Sequence, residues 1–134
     1  MKTGFAFVAA LGLLAATSFV SESRADDDVS NQFKVTATQA GKKVTILITP
    51  ANDQVFINSE YALKIHVDPK AGGTVDKADL TKDDGTYVKS THEGKALKVT
   101  FNVTADKGVT GNGKLVVCSL TACGNPAKFT FESN

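Results

Sequence analysis

Ala96-Leu97-Lys98-Val99-Thr100-Phe101-Asn102-Val103 alternates apolar and polar residues from Leu97 onward. Leu97, Val99, Phe101 and Val103 fall on one side, and Lys98, Thr100 and Asn102 on the other. That period of two marks a strand with one face on a core and one in water. Upstream, Tyr61, Leu63, Ile65 and Val67 repeat the pattern, with Ala62, Lys64 and His66 on the opposite face. Phe33, Val35 and Ala37 alternate with Lys34, Thr36 and Thr38. Residues 44–49 (VTILIT) are β-branched and nearly continuous, which predicts a central strand. Pro50 ends it, because proline cannot donate to the ladder.

The segments between these strands read as turns and loops. Ala40-Gly41-Lys42 and Pro69 to Gly73 carry turn residues. Residues 51–60 form a polar connection in which Val55, Phe56 and Ile57 dip toward the core. Asp76 to Gly85 reads as a charged loop with one short edge strand, and Gly108 to Gly113 as a glycine-rich turn. Leu115 to Cys118 and Lys128 to Phe131 supply the last two strands. About seven short strands with turn signals every eight to twelve residues predict an all-β sandwich or barrel. No helical periodicity, internal repeat or low-complexity linker interrupts that pattern.

The N-terminus has a different character. Lys2 precedes an apolar run from Phe5 to Ala16, and a polar stretch closes on Ser23-Arg24-Ala25. A basic start, an apolar run and small residues before a cleavage point are the layout of a secretory signal peptide. The apolar run is too short for a bilayer, which needs about twenty residues. The expected organisation is a signal peptide at 1–25, a flexible start at 26–32 and one domain at 33–134, the mature chain beginning at Asp26. The expected location is the periplasm or the medium outside the cell, with no membrane span in the mature chain, which is expected to be monomeric.

The whole chain has 15 Lys and Arg against 14 Asp and Glu. The leader takes Lys2, Arg24 and Glu22 with it, leaving no net charge and no arginine. Phosphate backbones are gripped by clustered positive charge, so nucleic-acid binding is excluded as the expected role.

Export places Cys118 and Cys123, the two cysteines of the chain, in an oxidising compartment where bridges form and last. Cys118-Ser-Leu-Thr-Ala-Cys123 leads into Gly124-Asn125-Pro126, so the pair spans the tip of a hairpin, close enough to bond. A loop this short stabilises by only about 2 kcal/mol in the chain-entropy picture. Two readings stand: a bridge that pins the last hairpin, or a redox pair exchanging electrons with another envelope protein. There is no Cys-x-x-Cys. No Lys, Arg or His lies inside the loop to favour a thiolate, although Lys114 and Lys128 flank it.

Other chemistry-bearing residues point to weaker sites. His66 shares the polar face of its strand with Lys64, as a solvated side chain would, and His92 lies in the turn Ser90-Thr91-His92-Glu93-Gly94. Neither has the short ligand spacing of a structural zinc site. The mature chain has no methionine for a thioether copper site. Asp76, Asp79, Asp83 and Asp84 lack the alternate spacing and internal glycine of a helical calcium loop. Asn102-Val103-Thr104 fits a glycosylation sequon, and no G-x-S-x-G marks a nucleophile. No cofactor or metal is expected.

The segments INSEYALKIHVDP (57–69) and GNGKLVVCSLTACGNPAKFTF (111–131) together resemble a group of exported bacterial domains. These are related to the N-terminal periplasmic domain of the thiol:disulfide interchange protein DsbD. The matching residues are Asn58, Glu60 and Tyr61 before a strand, then Gly113, Lys114, Cys118 and Cys123. The resemblance implies an immunoglobulin-like antiparallel sandwich with the cysteines near the end of the last hairpin. It also implies thiol:disulfide interchange with a thioredoxin-like partner as the alternative to a non-catalytic module that binds an envelope protein.

Overall fold

The computed structural model describes residues 29–134. The expected leader at 1–25 and its cleavage point lie outside the described residues. Among the described residues ten strands follow one another. They are β1 (Phe33–Ala40), β2 (Lys43–Pro50), β3 (Phe56–Asn58), β4 (Lys64–Pro69), β5 (Asp79–Thr81), β6 (Thr86–Lys89), β7 (Lys95–Thr104), β8 (Val109–Leu115), β9 (Val117–Cys118) and β10 (Ala127–Glu132). Sheet one runs β9-β3-β7-β2-β1, with β6 also paired to β7. Sheet two runs β10-β8-β4-β5, and every pairing is antiparallel. The two sheets close on one core as an immunoglobulin-like sandwich.

The alternating faces meet as period two requires. Val44, Ile46 and Ile48 of β2 and Val99, Phe101 and Val103 of β7 are buried against Ile65 and Val67 of β4, Leu115 of β8 and Phe129 and Phe131 of β10. Phe33 of β1 meets Phe129 edge-on, with ring centroids 6.0 Å apart, and ties the outer strands of the two sheets together. The expected hairpin between β1 and β2 turns at Gly41, whose φ of 64° suits glycine.

Three expectations are corrected by strand pairing. Leu97 is not inward: it is 49% exposed. The β6–β7 pairing steps from Val88–Lys98 to Lys89–Ala96, so Leu97 has no partner. This bulge resets the alternation, and Ala96 takes the buried place. The stretch expected to turn at Gly108 to Gly113 turns only at Gly108, φ 90°. Gly111 and Gly113 lie inside strand β8, opposite Phe131 and Phe129 of β10. The polar connection at 51–60 contains strand β3, with Val55, Phe56 and Ile57 all buried. Ahead of β1, Val29 belongs to the core and Ser30 is buried. The short strand expected in the charged loop is β5, at the edge of sheet two; β6 was not anticipated.

Candidate functional site: the Cys118–Cys123 hairpin

After β8 the chain leaves sheet two and enters sheet one as β9. Val116 makes the crossing, and its carbonyl accepts the Asn58 N–H at 2.8 Å. On β9, Val117 pairs with Ile57 and Cys118 with Phe56. Side chains alternate across a strand. Val117 and Ile57 therefore enter the main core, while Cys118 and Phe56 lie together on the outer face of sheet one. They are nonetheless 1% and 6% exposed. Phe56 is met edge-on by the His92 ring at 5.6 Å, from the 90–94 turn. The Ser59 N–H donates to the Gly94 carbonyl at 2.9 Å and holds that turn in place.

The cysteines are bonded, with Cα atoms 3.9 Å apart, as directly opposed residues of an antiparallel bridge. This separation is shorter than the usual range for disulfides. Cys118 is buried and Cys123 is exposed at the surface. Leu120 at the tip is 54% exposed. The tip is also held without the bridge. The Ser119 N–H donates to the Ala122 carbonyl at 2.7 Å, and the Ser119 hydroxyl accepts from the N–H groups of Thr121 and Ala122. Gly124 donates to the Val117 carbonyl at 2.9 Å and passes so close to Ser30 that a Cβ there would fall 2.9 Å from its backbone. The chain then turns into β10 of sheet two. The bridge therefore fastens a strand of one sheet to the segment that returns to the other.

The remaining candidates are dispersed. His66 projects from the outer face of sheet two, so the two histidines do not converge on the cysteines. Its Nδ1 lies 2.9 Å from Asp79 and its Nε2 2.9 Å from Asp68. The hydrogen bond with Asp79, then that with Asp68, raises its pKa above the ordinary histidine value. Asp76 accepts the Thr104 N–H at 2.8 Å. Asp84 takes the Lys77 ammonium at 2.6 Å and the Thr81 N–H at 2.8 Å, with its pKa lowered chiefly by Lys77. These acids are occupied by local structure. Among the described residues no group of three or more His, Cys, Asp or Glu is placed to hold a metal ion, and no helix is long and apolar enough to cross a membrane.

Phe56, expected only to dip toward the core, lies instead opposite Cys118 and outside the core cluster. Its signal was the apolar triplet Val55-Phe56-Ile57 inside a polar segment. The motif residues of the resemblance have local structural work. Asn58 Oδ1 accepts the Glu60 N–H at 2.8 Å, closing a turn before β4. Gly113 leaves room for the Phe129 ring, since a Cβ there would fall 2.7 Å from it. The chain matches no protein-family model and no curated protein sequence.

Proposed function

We propose that this domain is an exported, non-catalytic module of the cell envelope that binds a protein partner, with Cys118–Cys123 as its structural staple. The observation that carries this reading is the burial of Cys118 to 1%, beside Phe56, at the point where the chain passes between sheets. With Cys118 closed to an incoming thiolate, only Cys123 is open to exchange, and residues 119–122 hold no Lys, Arg or His to favour its thiolate, which suits a staple. Periplasmic or secreted location follows from the leader-like N-terminus and suits a formed bridge.

The alternative is thiol:disulfide interchange with a thioredoxin-like partner. It is favoured by the exposure of Cys123 beside the apolar tip residue Leu120, and by the resemblance to the DsbD N-terminal domain. The reduction potential of the bridge separates the two. A staple lies below about −300 mV, whereas a relay lies near the −120 to −270 mV of thioredoxin-like partners. We expect the lower value. A potential in the relay range, with a mixed disulfide trapped by Cys118→Ser, would reverse the order of the two readings.

A further inference from the structure

Three lysines form one row on the outer face of sheet two. Lys64 of β4 pairs with Lys114 of β8, and Lys114 pairs with Lys128 of β10. Their exposed side chains therefore leave adjacent strands side by side, over roughly 10 Å at the usual strand spacing. Like charges directly opposite one another destabilise a sheet. Among the described residues no carboxylate lies within 4.0 Å of any of the three ammonium groups. The rest of this face is balanced. In the next row His66 stands between Asp79 and Asp68, and beyond it Lys70 pairs with Glu132 at 3.1 Å. The three lysines line an open trough of about 1160 Å³ together with Tyr61, Asn112 and Thr130. Asp79 is the one carboxylate in that lining, and it is already bonded to His66.

We infer that this trough docks an acidic segment of a polypeptide partner, whose carboxylates lie along the Lys64–Lys114–Lys128 row. The inference rests on the reading of the domain as a protein-interaction module and gives that module its face and the chemistry of its partner. The row gathers three positive charges with no carboxylate partner among the described residues, a surplus that a negatively charged occupant complements. Asn112 and Thr130, one row along, present an amide and a hydroxyl to the backbone of such a segment. A lipid surface fits less well. Membrane-binding basic clusters number four to eight and work beside inserted apolar side chains. The exposed large hydrophobics here, Val88, Leu97 and Leu120, all lie outside the trough. Three lysines without arginine also grip a nucleic-acid duplex weakly.

The test is binding of a fluorescent hexaglutamate peptide to the purified protein, followed by anisotropy at low and at moderate salt. We expect saturable binding that weakens several-fold as salt rises. Each single Lys→Gln change in the row should weaken it roughly two- to fivefold, and the triple change should abolish it. Lys42→Gln and Lys43→Gln, exposed lysines of the β1–β2 hairpin, should leave it unchanged. Lys114→Gln should keep or raise the thermal midpoint at low salt, because it removes two like-charge neighbours. The proposal is overturned if the peptide fails to bind, or if the triple variant binds it equally. It is also overturned if a heparin fragment or anionic lipid vesicles bind through the row while the peptide does not. The potential of the bridge is read independently. Loss of peptide binding would leave the staple standing, and a relay-type bridge would not account for salt-sensitive binding at the lysines.

Discussion

The ring of Phe131 on β10 covers Gly111 on the neighbouring strand β8, occupying the place a side chain would need. A Cβ at Gly111 would also fall 2.6 Å from the His66 carbonyl oxygen of β4. Gly111→Ala should therefore destabilise the domain by about 1–3 kcal/mol through overpacking. Denaturant unfolding of the two proteins measures it. Trimming Phe131 to Leu in the same chain should recover part of the loss, a coupling that a double-mutant cycle reads directly.

Phe101 and Leu97 lie on one strand and should respond very unequally to truncation. Phe101 is fully buried and packs against Gly85, where a Cβ would fall 2.8 Å from the ring. Phe101→Ala should cost about 3–5 kcal/mol. Leu97→Ala, at an exposed bulge, should change stability by less than about 0.5 kcal/mol. Equal losses from the two changes would contradict the bulge.

Tyr87 of β6 packs against the core with its hydroxyl buried and, among the described residues, without a hydrogen-bond partner. Burial, with the charge of Asp83 adding to it, pushes the phenol pKa up. An unsatisfied buried hydroxyl is a liability, so Tyr87→Phe should be neutral or stabilising by up to about 1 kcal/mol. Thermal unfolding at neutral pH tests the sign.

His66 should make the domain sensitive to pH. Its folded pKa is raised, the Asp79 hydrogen bond contributing most and Asp68 next. The stabilisation by the charged imidazolium is therefore fully present below the ordinary value of 6.5 and is lost as pH rises through the higher folded value. The thermal midpoint should fall over that window, and His66→Gln should flatten the fall. An imidazole titration followed by nuclear magnetic resonance should place His66 above the ordinary histidine value.

The strand faces were legible wherever one face meets the core and the other meets water, as at Leu63, Ile65 and Val67 or at Val99, Phe101 and Val103. Leu97 was not, because its outward turn is imposed by the partner strand β6, which a one-chain pattern does not display. Gly111 and Gly113 looked like turn residues because their freedom of backbone is visible in sequence, whereas the aromatic rings that need their missing side chains come from β10. The cysteine bridge was legible from spacing and from the leader-like start. The cover of Phe56 over Cys118 was not, since it depends on a crossing between sheets at Val116. The lysine row was hidden for a related reason. Lys64, Lys114 and Lys128 are distant in the chain and become neighbours only through register.

The crossing at Val116 also gives the molecule a mechanical character. A pull on the C-terminal strand would ordinarily reach β9 through the full loop between the cysteines, but the bridge short-circuits it across 3.9 Å. About 13 Å of chain is thereby withheld from extension. Tension arriving at β10 passes straight through sulfur to the strand that clasps β3. If a partner tugs on this end of the domain, the hairpin tip stays slack while the two sheets share the load.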